Sequence, residues 1–98
     1  MGVELKKDGK ELIALLSGDI DHHTAKQMRE EIDSQAGLDK PELLKLDFQH
    51  VDFMDSSGIG LIMGRYKLMQ SLGGRLRVIN VPNYIARVIR LSGLDQLG

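Results

Sequence analysis

Leu44, Lys45, Leu46, Asp47 and Phe48 alternate apolar and charged residues without a break, and this run constrains the fold more than any other. Successive side chains of a strand point to opposite faces. A strand held between two helix layers is apolar on both faces. Here one face carries charge, so the sheet is expected to be covered on one side only. Arg75, Leu76, Arg77 and Val78 repeat the pattern. Between these strands the spacing predicts a helix from about Ser57 to Leu72, with Ile59, Ile62, Met63, Tyr66 and Met69 as its buried stripe and Gly73-Gly74 as its end.

Two apolar-rich runs, Val3 to Lys7 and Glu11 to Gly18, are separated by Asp8-Gly9. That dipeptide predicts a tight hairpin, with positive φ at both turn positions. A helix is expected to open at Thr24, whose hydroxyl can cap the first turn with Gln27 three residues later. Ala25, Met28, Ile32 and Ala36 form its buried stripe, Gly37 its stop, and Leu38 to Pro41 a loop. A third helix begins near Pro82, turns Ile85, Val88 and Ile89 inward, and closes at Gly93. The predicted order is β-β-α-β-α-β-α. This is an α/β fold: a four-stranded mixed sheet, made of an opening hairpin plus a parallel βαβαβ, with right-handed crossovers and all helices packed on one face.

The 98 residues are read as a single domain spanning 1–98. Thirteen basic against 14 acidic residues leave a net charge of −1. No basic excess is present to neutralise a phosphate backbone, so no nucleic-acid partner is expected. No apolar run approaches the roughly 20 residues of a membrane span, and no secretory signal is visible. The chain has no cysteine, which excludes disulfides, thiolate nucleophiles and Cys-ligated metals and fits a cytoplasmic setting.

Two polar clusters remain. Met54-Asp55-Ser56-Ser57-Gly58-Ile59-Gly60 leads into the second helix. Capping alone asks for one oxygen-bearing side chain, worth about 1 kcal/mol. It does not ask for three in a row followed by glycines. Gly58, Gly60 and Gly64 together cost about 2–3 kcal/mol of helix propensity. Close helix-to-sheet packing can account for Gly60 and Gly64, while Gly58 is expected to leave backbone open to a protein or a phosphate. The glycine spacing is neither G-x-G-x-x-G nor a Walker A sequence, so no nucleotide fingerprint exists.

The second cluster, Gly18-Asp19-Ile20-Asp21-His22-His23-Thr24, lies at the same C-terminal sheet edge, where ligands and partners bind open α/β sheets. Adjacent His22 and His23 point apart, and no H-x-x-x-H occurs, so no metal is expected. No nucleophilic triad is supported, and Ser56 is not in G-x-S-x-G, so the chain is read as a non-enzyme without a cofactor. The bland alternative, solvated residues that cap a helix, accounts well for His22 and Thr24. It accounts less well for Asp19 and Asp21 beside Asp55.

Asp21-His22-His23-Thr24 together with Phe53-Met54-Asp55-Ser56-Ser57-Gly58 and Gly64-Arg65-Tyr66-Lys67 resemble the STAS-domain anti-sigma factor antagonists, most of all their sporulation branch. Ser92-Gly93-Leu94 also resembles the end of that family's third helix, so the likeness covers nearly the whole chain. Such proteins usually continue for another strand or helix, so the family's C-terminal extension is expected to be lacking here. The resemblance implies an anti-sigma factor antagonist that binds the dimer of an anti-sigma factor serine kinase and frees the sigma factor. Phosphorylation of the serine after Asp in D-S-S-G abolishes that binding, and a PP2C-type phosphatase restores it. Carried over, the acceptor is Ser56, with Ser57 as runner-up. The expected interface comprises Asp19, Asp21, His22, His23, Thr24, Asp55, Ser56, Ser57, Gly58, Gly60 and an exposed flank with Arg65. Two alternatives stand beside this: a small nucleotide-binding STAS module using the Ser56–Gly60 loop, and a general-stress antagonist of the same fold with a different sigma partner.

Overall fold

A computed structural model describes residues 2–94; the expectation about a C-terminal extension lies outside them. The elements run β1 (Gly2–Asp8), β2 (Glu11–Ile20), α1 (His22–Asp39), β3 (Leu43–Met54), α2 (Ser56–Ser71), β4 (Arg75–Ile79) and α3 (Asn83–Ser92). The sheet order is β1-β2-β3-β4. β1 and β2 are antiparallel, and β3 joins β2 and β4 in parallel. This is the expected mixed sheet.

The strand pattern sorts the core. Leu12, Ala14 and Leu16 of β2 and Leu44, Leu46 and Phe48 of β3 are fully buried under Met28, Ile32 and Ala36 of α1 and Leu61, Ile62 and Met69 of α2. Each large aliphatic side chain there contributes about 1.5–3 kcal/mol of transfer free energy. Ile85 of α3 joins the same core, with Val88 and Ile89 half-buried against it. On the other face Lys45 pairs with Glu11 at 2.9 Å. Asp47, in contrast, is only 7% exposed although no helix lies over it. In the ladder it sits between Leu15 and Ile79. Its carboxylate accepts from the Gln49 N–H at 2.9 Å and from Asn80 Nδ2 at 3.1 Å, and so is satisfied.

Four local expectations are corrected. The hairpin loop is Gly9-Lys10, since Asp8 pairs with Glu11, and only Gly9 has positive φ. That is the hairpin turn with glycine at its first central position rather than the type with two left-handed residues. Helix α1 starts at His22, not Thr24, because the Asp21 carboxylate does the capping. It runs past Gly37 to Asp39 and stops at Lys40, a left-handed C-cap at φ 46°. Pro41 follows, and a residue before proline is disfavoured in the helical region. Strand β3 is 12 residues long and continues six residues beyond Phe48. In this second half Val51 and Met54 are the buried residues, three apart rather than two. The pairing with β2 also slips, between Leu15 and Ser17 and between Gly18 and Asp19. Irregular pairing of this kind erases the alternation by which a strand is read.

The buried stripe of α2 is also turned. Gly58, Leu61, Ile62, Arg65 and Met69 form it, and Ile59, Met63 and Tyr66 are only half-buried. Hydrophobicity could not have placed Gly58 or Arg65 inside.

Candidate functional site

The last residues of β2 and β3, Ile20 and Met54, pair in the ladder. The chain then turns into α1 after the first and into α2 after the second. The Asp55 N–H donates to the Ile20 carbonyl at 3.2 Å, which ties the two turns together. The two polar clusters of the sequence are therefore one edge, with two helix N-termini side by side.

Each start is capped by an aspartate. Asp21 accepts from the N–H groups of His23 at 2.9 Å and Thr24 at 3.0 Å. The Thr24 hydroxyl accepts from the Asp21 N–H at 2.9 Å and donates to the Asp19 carbonyl at 2.8 Å. This closes a capping box and pins Asp19 to the helix. The Thr24 backbone N–H, and after it that of His23, holds the Asp21 carboxyl below its ordinary value. Asp55 accepts from the Ser57 N–H at 2.7 Å. Because Asp55 supplies the cap, Ser56 becomes the first residue of α2, with its side chain exposed. Ser57 is half-buried. Asp19, His22 and His23 are exposed, and the two imidazoles stack at 4.2 Å.

Three of the expected site residues lie differently. Gly58 is buried, and a Cβ there would collide with the Met54 side chain. Its glycine serves the packing of α2 on β3, so the expectation of open backbone for a phosphate is withdrawn. Gly60, which was assigned to packing, is exposed with open space where a Cβ would be, and Gly64 has the same space. Arg65 is not on an exposed flank: it is 5% exposed, between α2 and α1. Its guanidinium faces both carboxylate oxygens of Asp33, Nε to Oδ1 at 2.8 Å and Nη2 to Oδ2 at 3.2 Å, and Nη1 donates to the Leu61 carbonyl at 3.2 Å. The Nε contact is off the N–H line, so it is an ion pair rather than an aligned hydrogen bond. Burial pushes the Asp33 carboxyl up and the Arg65 guanidinium down, in each case against the attraction of its partner.

Two exposed residues outside the expected set belong to this edge. Phe53 pairs in the ladder with Asp19, and Tyr84 is the second residue of α3. Their rings lie 6.5 Å apart. Among the described residues no group of three or more His, Cys, Asp or Glu side chains is arranged to hold a metal ion. No described helix is long and apolar enough to cross a membrane.

Known proteins share this fold. Residues 3–98 match the STAS domain. The anti-sigma F factor antagonist of Paenibacillus polymyxa is 38% identical over 95 residues, covering 97% of this chain and 81% of that protein. The anti-sigma-B factor antagonist of Bacillus subtilis strain 168 is 26% identical over 99 residues, covering 99% of this chain and 87% of the relative. The unphosphorylated form of the anti-sigma factor antagonist SpoIIAA superposes with a TM-score of 0.86 at 28% identity, over 97% of this chain and 84% of that one. The phosphorylated form gives 0.77 over 97% and 86%. By sequence and by fold, the chain belongs to the STAS-domain family of anti-sigma factor antagonists.

Proposed function

We propose that this protein is a phosphorylation-controlled antagonist of an anti-sigma factor, acting in the cytoplasm. Its unphosphorylated form binds the dimer of an anti-sigma factor serine kinase through the paired helix starts and releases the sigma factor. The kinase phosphorylates Ser56, binding is lost, and a PP2C-type phosphatase restores it. The chain itself catalyses nothing; it is the substrate of both enzymes.

One observation carries this reading: Ser56 is exposed at a helix start whose cap is already supplied by Asp55. A hydroxyl with no capping duty can be esterified without removing a structural bond. A phosphate adds about −1.5 to −2 charges. The helix N-terminus favours an anion by about 0.3–1 kcal/mol. Repulsion from the neighbouring Asp55 through water costs about 1 kcal/mol. The two effects nearly cancel, so the fold survives. At an interface they do not cancel, because a desolvated charge facing unmatched groups costs about 3 kcal/mol or more. That weakens binding on the order of a hundredfold.

Incubation with the cognate anti-sigma factor kinase and ATP, followed by mass spectrometry, tests the site. Phosphate is expected on Ser56, and its loss in Ser56→Ala completes the assignment. Phosphate found only outside Ser56 and Ser57 overturns it.

A further inference from the structure

We infer that Phe53 and Tyr84 form the apolar anchor of the docking edge, and that the partner meets them with a basic surface bearing an apolar side chain. The inference rests on the functional reading above and names residues that reading did not include. Phe53 and Tyr84 are 44% and 49% exposed, and their rings are paired at 6.5 Å. The other large exposed apolar residues among those described, Leu38 and Leu91, stand on the last turns of α1 and α3. Scattered exposed leucines are ordinary; two adjacent exposed aromatics are not. Nothing in the fold requires Phe53 to be apolar, since the buried residues of this strand segment are Val51 and Met54.

Position and charge identify the occupant. Phe53 lies two residues before the cap Asp55 and three before Ser56, so the anchor is continuous with the proposed phosphorylation site. Around it run Asp19, its ladder partner, and Asp52 and Asp55 on its own strand end and turn. None of the three takes part in a salt bridge among the described residues, whose pairs are Lys7–Asp39, Lys10–Glu42, Lys45–Glu11 and Arg65–Asp33. Exposed aromatics with an acidic ladder partner, and with further carboxylates that make no ion pair close by in the chain, are the arrangement of a binding hot spot with a charged rim. It fits a partner surface of opposite charge and disfavours an acidic partner or a second copy of this edge. The basic groups of such a partner are already matched by the carboxylates of this edge, so a phosphate on Ser56 enters a closed interface as bulk and charge with no counter-charge of its own.

The test is calorimetric titration of the cognate anti-sigma factor kinase, with ADP, into the wild type and four variants. Phe53→Thr and Tyr84→Ala are each expected to weaken binding at least tenfold with an almost unchanged melting temperature. Tyr84→Phe is expected to keep wild-type affinity, because the ring and not the hydroxyl is the anchor. Leu38→Ser, at the opposite end of the sheet, is expected to bind as the wild type does. Equal affinity of wild type, Phe53→Thr and Tyr84→Ala overturns the inference and leaves the functional reading intact. So does equal weakening by Leu38→Ser. A wild-type protein that does not bind overturns both.

Discussion

Gly58 and Gly60 stand two residues apart in one helical turn and have opposite reasons to be there. A Cβ at Gly58 runs into the buried Met54 side chain, whereas Gly60 faces open space. Gly58→Ala is expected to destabilise by about 1 kcal/mol, the overpacking cost less the gain in helix propensity. Gly60→Ala is expected to stabilise by about 0.5–1 kcal/mol. Urea unfolding of both variants checks the signs. The proposed interface includes Gly60, so the same variant is expected to bind the anti-sigma factor more weakly. Sequence inspection detected the glycines as an anomaly and counted both in the expected interface, but it credited close packing to Gly60 rather than to Gly58. Spacing along a helix shows which residues share a face, not which face meets the sheet.

Helices α1 and α2 are locked by an ion pair that amphipathic patterning cannot find, because a core stripe is sought among apolar residues. Asp33→Ala leaves Arg65 buried and unpaired and is expected to cost about 2–4 kcal/mol. Arg65→Met costs less, since the partly exposed Asp33 can rehydrate. The double variant recovers stability relative to Asp33→Ala alone, and thermal denaturation of the three checks the order. Asp33 within α1 and Asp21 at its N-cap also respond oppositely to pH. Asp33 is raised above its ordinary 3.8. The folded chain therefore holds this proton more readily than the unfolded one, and its contribution is lost as pH rises through the raised value. Asp21 is held below 3.8 by the N–H groups it caps. Its contribution is present above 3.8 and is lost as pH falls through the lowered value, with the first turn of α1 loosening. Carboxyl titration by NMR is expected to find the two displaced in opposite directions. At this scale the periodic parts were legible: the stripe Met28, Ile32 and Ala36 and the alternation from Leu44 to Phe48. The aperiodic parts were not, namely the second half of β3 and the start of α1, where one carboxylate and a slipped ladder decide the boundary.

Across the whole molecule, phosphorylation separates stability from binding. Ser56→Asp is expected to leave the melting temperature within a few degrees while lowering affinity for the anti-sigma factor about a hundredfold; differential scanning fluorimetry and titration on one sample compare the two. The sequence by itself determined the element order, the mixed sheet with one covered face, and the two polar clusters, because alternation, helical spacing and short polar motifs are local properties of the chain. Only the tertiary structure decided how closely the clusters meet at the edge they were expected to share, that Arg65 and Gly58 are inside while Gly60 is outside, and that Phe53 meets Tyr84. Those facts follow from the pairing of Ile20 with Met54 and from the rotation of α2 against the sheet, both set by contacts between residues far apart in the chain.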